Sequence, residues 1–363
     1  MISKSPVRIA VAGAGLIGKR HVHAIHQASS SAILHSIIDP TDAAYEYAAN
    51  LGVPWYSCLS EMIGTNKSDG IILAIPNQAH VQTGLECIAA GIPVLVEKPL
   101  AIDSVSGEAL VAAAEAAGVA LLTGHHRRHN PLIRRAKQEI DAGSIGSVVS
   151  VNGMVWLYKP DDYFDVAWRS KAGAGPVFIN LIHDIDLMHY LCGRIETVYA
   201  LESNIARGNE VEDSAVIVLK FSNGALGTFN ASDTIVSPWS WELTARENPT
   251  YPPTSEACYL IGGTHGSLEL PGLRLWTNPS TRSWLEPIQS TQLPFDFEDP
   301  LILQIHQFAA VIQGREKPLV SGYDGLQALR VIEAIKQSAA AGMTISVAYL
   351  KAEYNREGAI SNG

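Results

Sequence analysis

At 363 residues, 47% hydrophobic and 17% charged, the chain has room for two cores and the make-up of a globular protein. Its formal net charge of -10 argues against a nucleic-acid partner, because phosphate binding relies on clustered Lys and Arg. Four scattered cysteines (Cys58, Cys87, Cys192 and Cys258) form no CxxC pair and read as reduced thiols of a cytoplasmic protein. No secretory leader or membrane span is expected. Glycines break the first apolar run, and the Ala-rich stretch Ala109–Leu122 is short and interrupted by Glu115 and Gly118.

In chain order, "VRIAVAG" reads as a buried strand, Leu16–Ala28 as a helix, "AILHSIID" as a strand and Thr41–Asn50 as a helix. "GIILAIP" is the next strand, with a helix over Asn77–Ala90. "PVLVEKP", a helix over Ser104–Ala117 and "VALLTG" complete the series. Short, almost continuously apolar strands between helices predict a parallel sheet covered on both faces. We place this α/β Rossmann domain at residues 1–123.

Beyond it the strands lengthen and alternate: "SVVSVNGMVWLY", "TVYALES", "DSAVIVLKFSNGALGTFNASDT", "WSWELTARE", "ACYLIGG" and "GSLELPGLRLWT". The "SNG" tripeptide predicts a hairpin, and the alternation predicts a large, mostly antiparallel sheet with one solvated face. This α+β domain is assigned residues 124–363. Its last helices, within 299–341, can pack on either domain, and Glu247–Pro253 ("ENPTYPP") is expected to be an irregular loop.

Gly13-x-Gly15-x-x-Gly18 follows the first strand and opens a helix. In that context the glycines permit a tight turn, close approach of a pyrophosphate and close helix–strand packing, while the helix N-terminus offers N–H groups. Leu16 and Ile17 lie inside the motif. Asp39 ends the second strand 21 residues after Gly18, where a carboxylate accepts from a ribose 2′-hydroxyl. It would repel a 2′-phosphate, and "PTDAAYEYAAN" supplies no cation to offset that, so NAD is favoured over NADP.

Further candidates sit where strands end on the ligand side. In "AIPNQAH", Pro76, Asn77 and His80 are candidates for lining the cofactor; alternatively, Asn77 caps the following helix. In "LVEKPL", Glu97 and Lys98 occupy the equivalent position, and a lysine there can hold a substrate oxygen or move a proton. A third cluster is "INLIHDIDLMHY", Ile179–Tyr190. At helical spacing, Asn180, His183, Asp184 and Leu187 share one narrow stripe on an otherwise apolar helix, and this stripe is expected to face a cleft. His21, His23 and His26, together with "HHRRH", do not converge as metal ligands need to, so no metal is expected.

In motif order, "GAGLIG", Asp39, "PNQAH", "EKP", "HHRRHNP" and the His-bearing helix resemble the Gfo/Idh/MocA family, the group of glucose–fructose oxidoreductase, inositol 2-dehydrogenase and the rhizopine-catabolism proteins. The resemblance implies a Rossmann domain plus an open-faced sheet domain with the substrate between them. It also implies sugar, inositol or related substrates, and homodimers or homotetramers assembled through the large sheet. It gives Lys98 the role of active-site lysine and His183 that of proton carrier for the substrate hydroxyl. Arg127 and Arg128, with Trp168 and Arg169, fall where the family reaches toward ligands, although arginines on loops are commonly just solvated. One departure stands out: many members carry Asp four residues before the histidine, in D-x-G-x-H, where this chain has Ile179. Asn180 is then expected to bind a substrate hydroxyl. Asp184 either compensates in part by orienting His183 or substrate, or is an ordinary helix carboxylate.

The resulting expectation is an NAD-dependent dehydrogenase acting on a secondary alcohol of a sugar, polyol or derivative. Two alternatives remain open: a ketone reductase or dihydrodiol dehydrogenase of the same fold, and a non-catalytic NAD(H) sensor.

Overall fold

The computed structural model describes residues 5–347. Six strands form the first sheet: β1 (Val7–Ala12), β2 (Ala32–Ile38), β3 (Trp55–Tyr56), β4 (Gly70–Leu73), β5 (Val94–Val96) and β6 (Leu121–Thr123). All pair in parallel in the order β3-β2-β1-β4-β5-β6. Between them run helices α1 (Leu16–Gln27), α2 (Asp42–Leu51), α3 (Leu59–Thr65), α4 (His80–Ala89) and α5 (Ser104–Ala117). The predicted apolar runs are buried on both faces. Ile9, Val11, Ile72 and Leu95 pack on Val22 and Ile25 of α1, while Ile71, Leu73 and Val94 pack with Leu110 of α5. Each such side chain contributes about 1.5–3 kcal/mol by leaving water. The strand order reverses direction between β1 and β4, and a crevice for ligands opens at such a switch point.

The second sheet has nine strands: β7 (Val148–Trp156), β8 (Ile195–Ser203), β9 (Ser214–Phe221), β10 (Leu226–Ser232), β11 (Tyr259–Gly263), β12 (Gly266–Leu270), β13 (Arg274–Thr277), β14 (Gln289–Gln292) and β15 (Ile345–Ser346). Their order is β14-β13-β12-β11-β7-β10-β9-β8-β15, antiparallel except for the parallel β7–β10 pair. β9 and β10 form the hairpin expected at "SNG". The strands bury one side against helices α6 (Pro131–Asp141), α7 (Ile182–Cys192) and α10 (Gly322–Ala341), where Ile217, Leu219 and Phe229 meet Ile133, Leu187 and Val331. The other side leaves Leu201, Val216, Val218, Leu226 and Leu260 exposed.

Two segments differ from the sequence expectation. "WSWELTARE" is not a strand but the short helix α8 (Trp241–Thr244) followed by loop. Its period-2 alternation of tryptophans and leucine looks like a pleated surface, but Glu242 and Glu247 have to turn inward to buried partners. The two last helices also part company. α9 (Pro300–Ile312) packs on α1 and β2, in the same core as Ile9 and Val11. α10 spans both units: Leu326 joins the core of the first sheet, and Val331, Ile332 and Ile335 join that of the second. Among the described residues, no helix is long and apolar enough to cross a membrane.

Candidate active site

The turn between β1 and α1 has the shape its glycines predict. Gly13 has φ +92°, and a Cβ there would lie 2.2 Å from the Ala74 carbonyl oxygen. A Cβ on Gly18 would lie 1.9 Å from the Gly13 oxygen, so only glycine lets α1 approach its own turn. Around Gly15 nothing lies within 4 Å of an added Cβ, and beside it Leu16 is exposed at the mouth of the crevice. Asp39 faces this turn. Its carboxylate accepts from Ala14 N (2.9 Å) and from Thr41 N and Oγ1 (3.0 and 2.6 Å), while its carbonyl accepts from Trp55 Nε1. Partial burial opposes its charge, yet these donors hold the carboxyl below the usual carboxylate range. An open glycine turn beside an ionised aspartate fits the pyrophosphate and ribose of a dinucleotide.

A cavity of about 500 Å³ adjoins the turn, lined by Leu16, Ile17, Glu97, Lys98, Asn180 and His183 among others. Lys98, at the end of β5, donates from Nζ to the backbone carbonyl of Ile179 (3.1 Å). Burial lowers its pKa, with Glu97 opposing and Arg127 adding to the shift. Behind it, Glu97 accepts from the Lys98 backbone N–H (3.1 Å) and bonds buried His21 at 2.7 Å. Although burial disfavours the Glu97 charge, His21 brings its pKa down to about 2.

His183 enters from the second unit. Its Nδ1 lies 3.3 Å from Nδ1 of buried His125, and the His126 ring meets it edge-on at 5.3 Å. Burial, then the charges of Lys98 and Arg127, hold the His183 ring well below its ordinary pKa, so it is neutral at neutral pH. One of the two facing Nδ1 atoms must donate to the other, which leaves His183 Nε2 for the cavity.

The helix carrying His183 is not α-helical throughout. Val177–Leu181 forms a π turn, and α7 begins at Ile182. The wider turn brings Ile179 and Asn180 to the cavity wall with His183, and it turns Asp184 away, correcting the expected polar stripe. Asp184 is fully buried, accepts from the Tyr259 hydroxyl and pairs with Arg127 at 3.2 Å. Burial pushes its carboxyl up against the pull of Arg127. The Asp184 carboxylate is therefore committed to Tyr259 and Arg127 rather than to His183.

The remaining sequence candidates divide. Asn77 has no capping bond; it and Trp168 border the 500 Å³ cavity and, with Pro76, a neighbouring cavity of about 630 Å³. Arg127 lines the active cavity and pairs with Glu242 at 2.8 Å. Arg128 points elsewhere and joins Asp186 (2.7 Å) and Asp324 (3.0 Å), tying α7 to α10. Arg169 stacks on Tyr163 at 4.2 Å and donates to its carbonyl, apart from the cavity lining. His80 is buried with its ring nitrogens against the carbonyls of Pro99 (2.8 Å) and Ile75 (3.0 Å), so it braces two strand ends and lines neither of these two cavities.

Residues 7–125 match the model of the oxidoreductase family's NAD-binding Rossmann fold, and residues 137–347 match that of its C-terminal alpha/beta domain. The chain belongs to the Gfo/Idh/MocA family. It is thus an NAD-binding oxidoreductase. Myo-inositol 2-dehydrogenase of Thermotoga maritima is 27% identical to it, over 92% of this chain and 96% of that one. 1,5-anhydro-D-fructose reductase of Ensifer adhaerens is 25% identical, over 92% and 97%. The WlbA dehydrogenase of Bordetella pertussis, crystallised with NADH and UDP-GlcNAcA, superposes with a TM-score of 0.77 at 28% identity, covering 95% of this chain and 100% of that one.

Several lining residues of this family member escape sequence reasoning: Arg20, His126, Trp241, Glu242, Glu247 and Tyr251. Most lie in the segment after β10, on α8 and the loop that follows it. Trp241 stacks on Tyr259 (5.6 Å, 18°) and donates from Nε1 to Glu247 (2.8 Å), which also accepts from Asn130 Nδ2 (2.7 Å). One signal was available: two glutamates in an aromatic run and the cations of "HHRRHNP" are each costly to bury alone and complementary together.

Proposed function

We propose that the chain is an NAD-dependent dehydrogenase that interconverts a secondary alcohol and ketone on a sugar, inositol or sugar derivative. The observation that carries this is the meeting of Lys98 and neutral His183 in one cavity with Leu16 and Ile17 of the glycine turn. When bound, the nicotinamide supplies the hydride acceptor or donor. In the oxidative direction, His183 Nε2 takes the proton of the substrate hydroxyl while His125 fixes its ring through Nδ1. Lys98, anchored on the Ile179 carbonyl, directs its remaining N–H bonds to the same oxygen and stabilises developing alkoxide. In reduction the same two groups act in reverse. Asn180 donates to and accepts from a neighbouring hydroxyl, the task left by the family aspartate that Ile179 replaces. With Ile179 in that position, Lys98 uses a backbone carbonyl as its anchor.

The exposed row Leu201, Val216, Val218, Leu226 and Leu260 lies on one face of the large sheet, since Val216 pairs with Leu201 and Leu260 with Asn152 of that face. We assign it to contact with a second copy of the chain. Unpaired cysteines, three of them buried, support a cytoplasmic setting.

A panel of inositols, aldoses, glycosides and sugar acids, tested with NAD and followed by NADH absorbance, checks the reading. Turnover of at least one member is expected. Tight NADH binding with no turnover across the panel would favour the sensor alternative.

A further inference from the structure

The 3-10 turn His126–His129 serves two cavities. His126 and Arg127 border the active site, while His129 borders a second cavity of about 610 Å³ between this turn, α6, α9 and the loop after α9. Its charged lining is Arg134, Arg315 and Lys317 against Glu316 alone, an excess of cations in a chain of net charge -10. None of these three cations has an ion pair among the described residues; Arg315 donates from Nε to Gln313 (2.7 Å), a neutral partner. Lys317 is held on the wall through its backbone, whose carbonyl accepts from Gln307 (2.7 Å).

Two imidazoles face the same space. His306 spends Nδ1 on Ser31 (2.8 Å), leaving its other nitrogen. His129 is 2% exposed, lines the cavity, and its ring makes no hydrogen bond to any described residue. Arg134, Arg315 and Lys317 are exposed at the rim with no ion pair of their own among the described residues, and the His129 ring lies between them and the protein interior, an arrangement that offers charge-assisted hydrogen bonds to a multiply charged anion. Burial first, then His126 and Arg134, bring the His129 pKa down to about 3, so its ring is a neutral hydrogen-bond donor.

We propose that this cavity binds a compact polyvalent anion, a phosphate-bearing or polycarboxylate small molecule, at a site separate from those of cofactor and substrate. The cations come from two segments, α6 and the loop after α9, so an anion in the cavity meets positive charge from both.

Calorimetric titration of the full chain, saturated with NADH so that the glycine turn is filled, tests the proposal with pyrophosphate and with citrate as separate probes. Saturable binding of at least one probe is expected, and the tighter of the two identifies the phosphate or carboxylate source. The double variant Arg134→Gln/Lys317→Gln is expected to weaken it by about tenfold or more with NADH affinity unchanged, and Lys317→Arg to retain it. No saturable heat with either probe, or equal affinity in the double variant, would overturn the proposal.

Discussion

The two walls of the active cavity are built by opposite means. On the Rossmann side, Asn77 and Lys98 in the cavity wall, and Gly13 and Asp39 in the adjoining turn, all follow the ends of regular parallel strands, and the sheet brings them together. On the other side, His126, Asn180, His183 and Glu247 are carried by a 3-10 turn, a π turn running into α7, and a loop. They are fixed by pairs far apart in sequence, such as Arg127–Glu242 and Asn130–Glu247. In the proposed reaction the first wall holds the cofactor and lends Lys98 to the substrate oxygen, while the second wall fits the substrate. The difference teaches that cofactor binding and proton handling here are separable, and mutations should separate them.

The largest effect is expected at the proton handlers. His183→Ala should lower kcat by about 10²–10⁴-fold, the usual contribution of a positioned acid–base group, with NADH affinity intact. Lys98→Ala should lose about 10²–10³-fold in kcat, as for removal of one oxyanion donor. Next comes the buried network behind the second wall. Arg127→Ala strands Asp184 and Glu242 and should cost about 3–5 kcal/mol, read as a lower denaturant midpoint. On the first wall, Asp39→Ala removes a charged acceptor. It should weaken NAD binding by about 1.5–3 kcal/mol while leaving kcat at saturating NAD nearly unchanged. If Asp39→Ala and His183→Ala affected the same parameter equally, the separation of the walls would fail.

A smaller effect follows from pH. The rings of His125, His129, His183 and His189 are held below the ordinary value of 6.5, burial being the first cause for each. Below that value the unfolded chain binds protons that the folded chain refuses, so stability falls as pH drops. For His129 and His189 this continues down to about 3. Asp184 and Asp186, each raised to about 6 mainly by burial, work in the opposite sense between their two values, but the four histidines outnumber them. The melting temperature should therefore fall between about pH 7 and about pH 5, and an unchanged value would contradict the buried neutral rings. The smallest effect on catalysis belongs to the sheet face. Val218→Lys should shift the mass seen by light scattering toward the monomer while kcat holds.

The same contrast explains what the sequence makes legible. Apolar runs bounded by Gly and Asn, the 13-15-18 glycine spacing with Asp39, and Lys98 after β5 each follow from local rules, and the structure has them in place. The π turn does not follow from such rules. Reading 179–188 as a continuous helix puts Asp184 beside Asn180, whereas the wider turn buries it against Tyr259. In the same way "WSWELTARE" alternates like a strand, and only its distant partners on the "HHRRHNP" segment turn it into a helix and loop. His80 and Arg128 are placed near ligands by position in the chain, but their bonds to Pro99 and Asp186 make them braces.

The central claim is that neutral His183 carries the substrate proton in a cavity whose cofactor side works independently. The most direct test is single-turnover formation of NADH in wild type and His183→Ala, with NADH affinity measured on the same samples. A rate lower by about 10² or more at unchanged NADH affinity is the result predicted. A rate within a few-fold of wild type, or a loss that tracks weakened NADH binding, would contradict it.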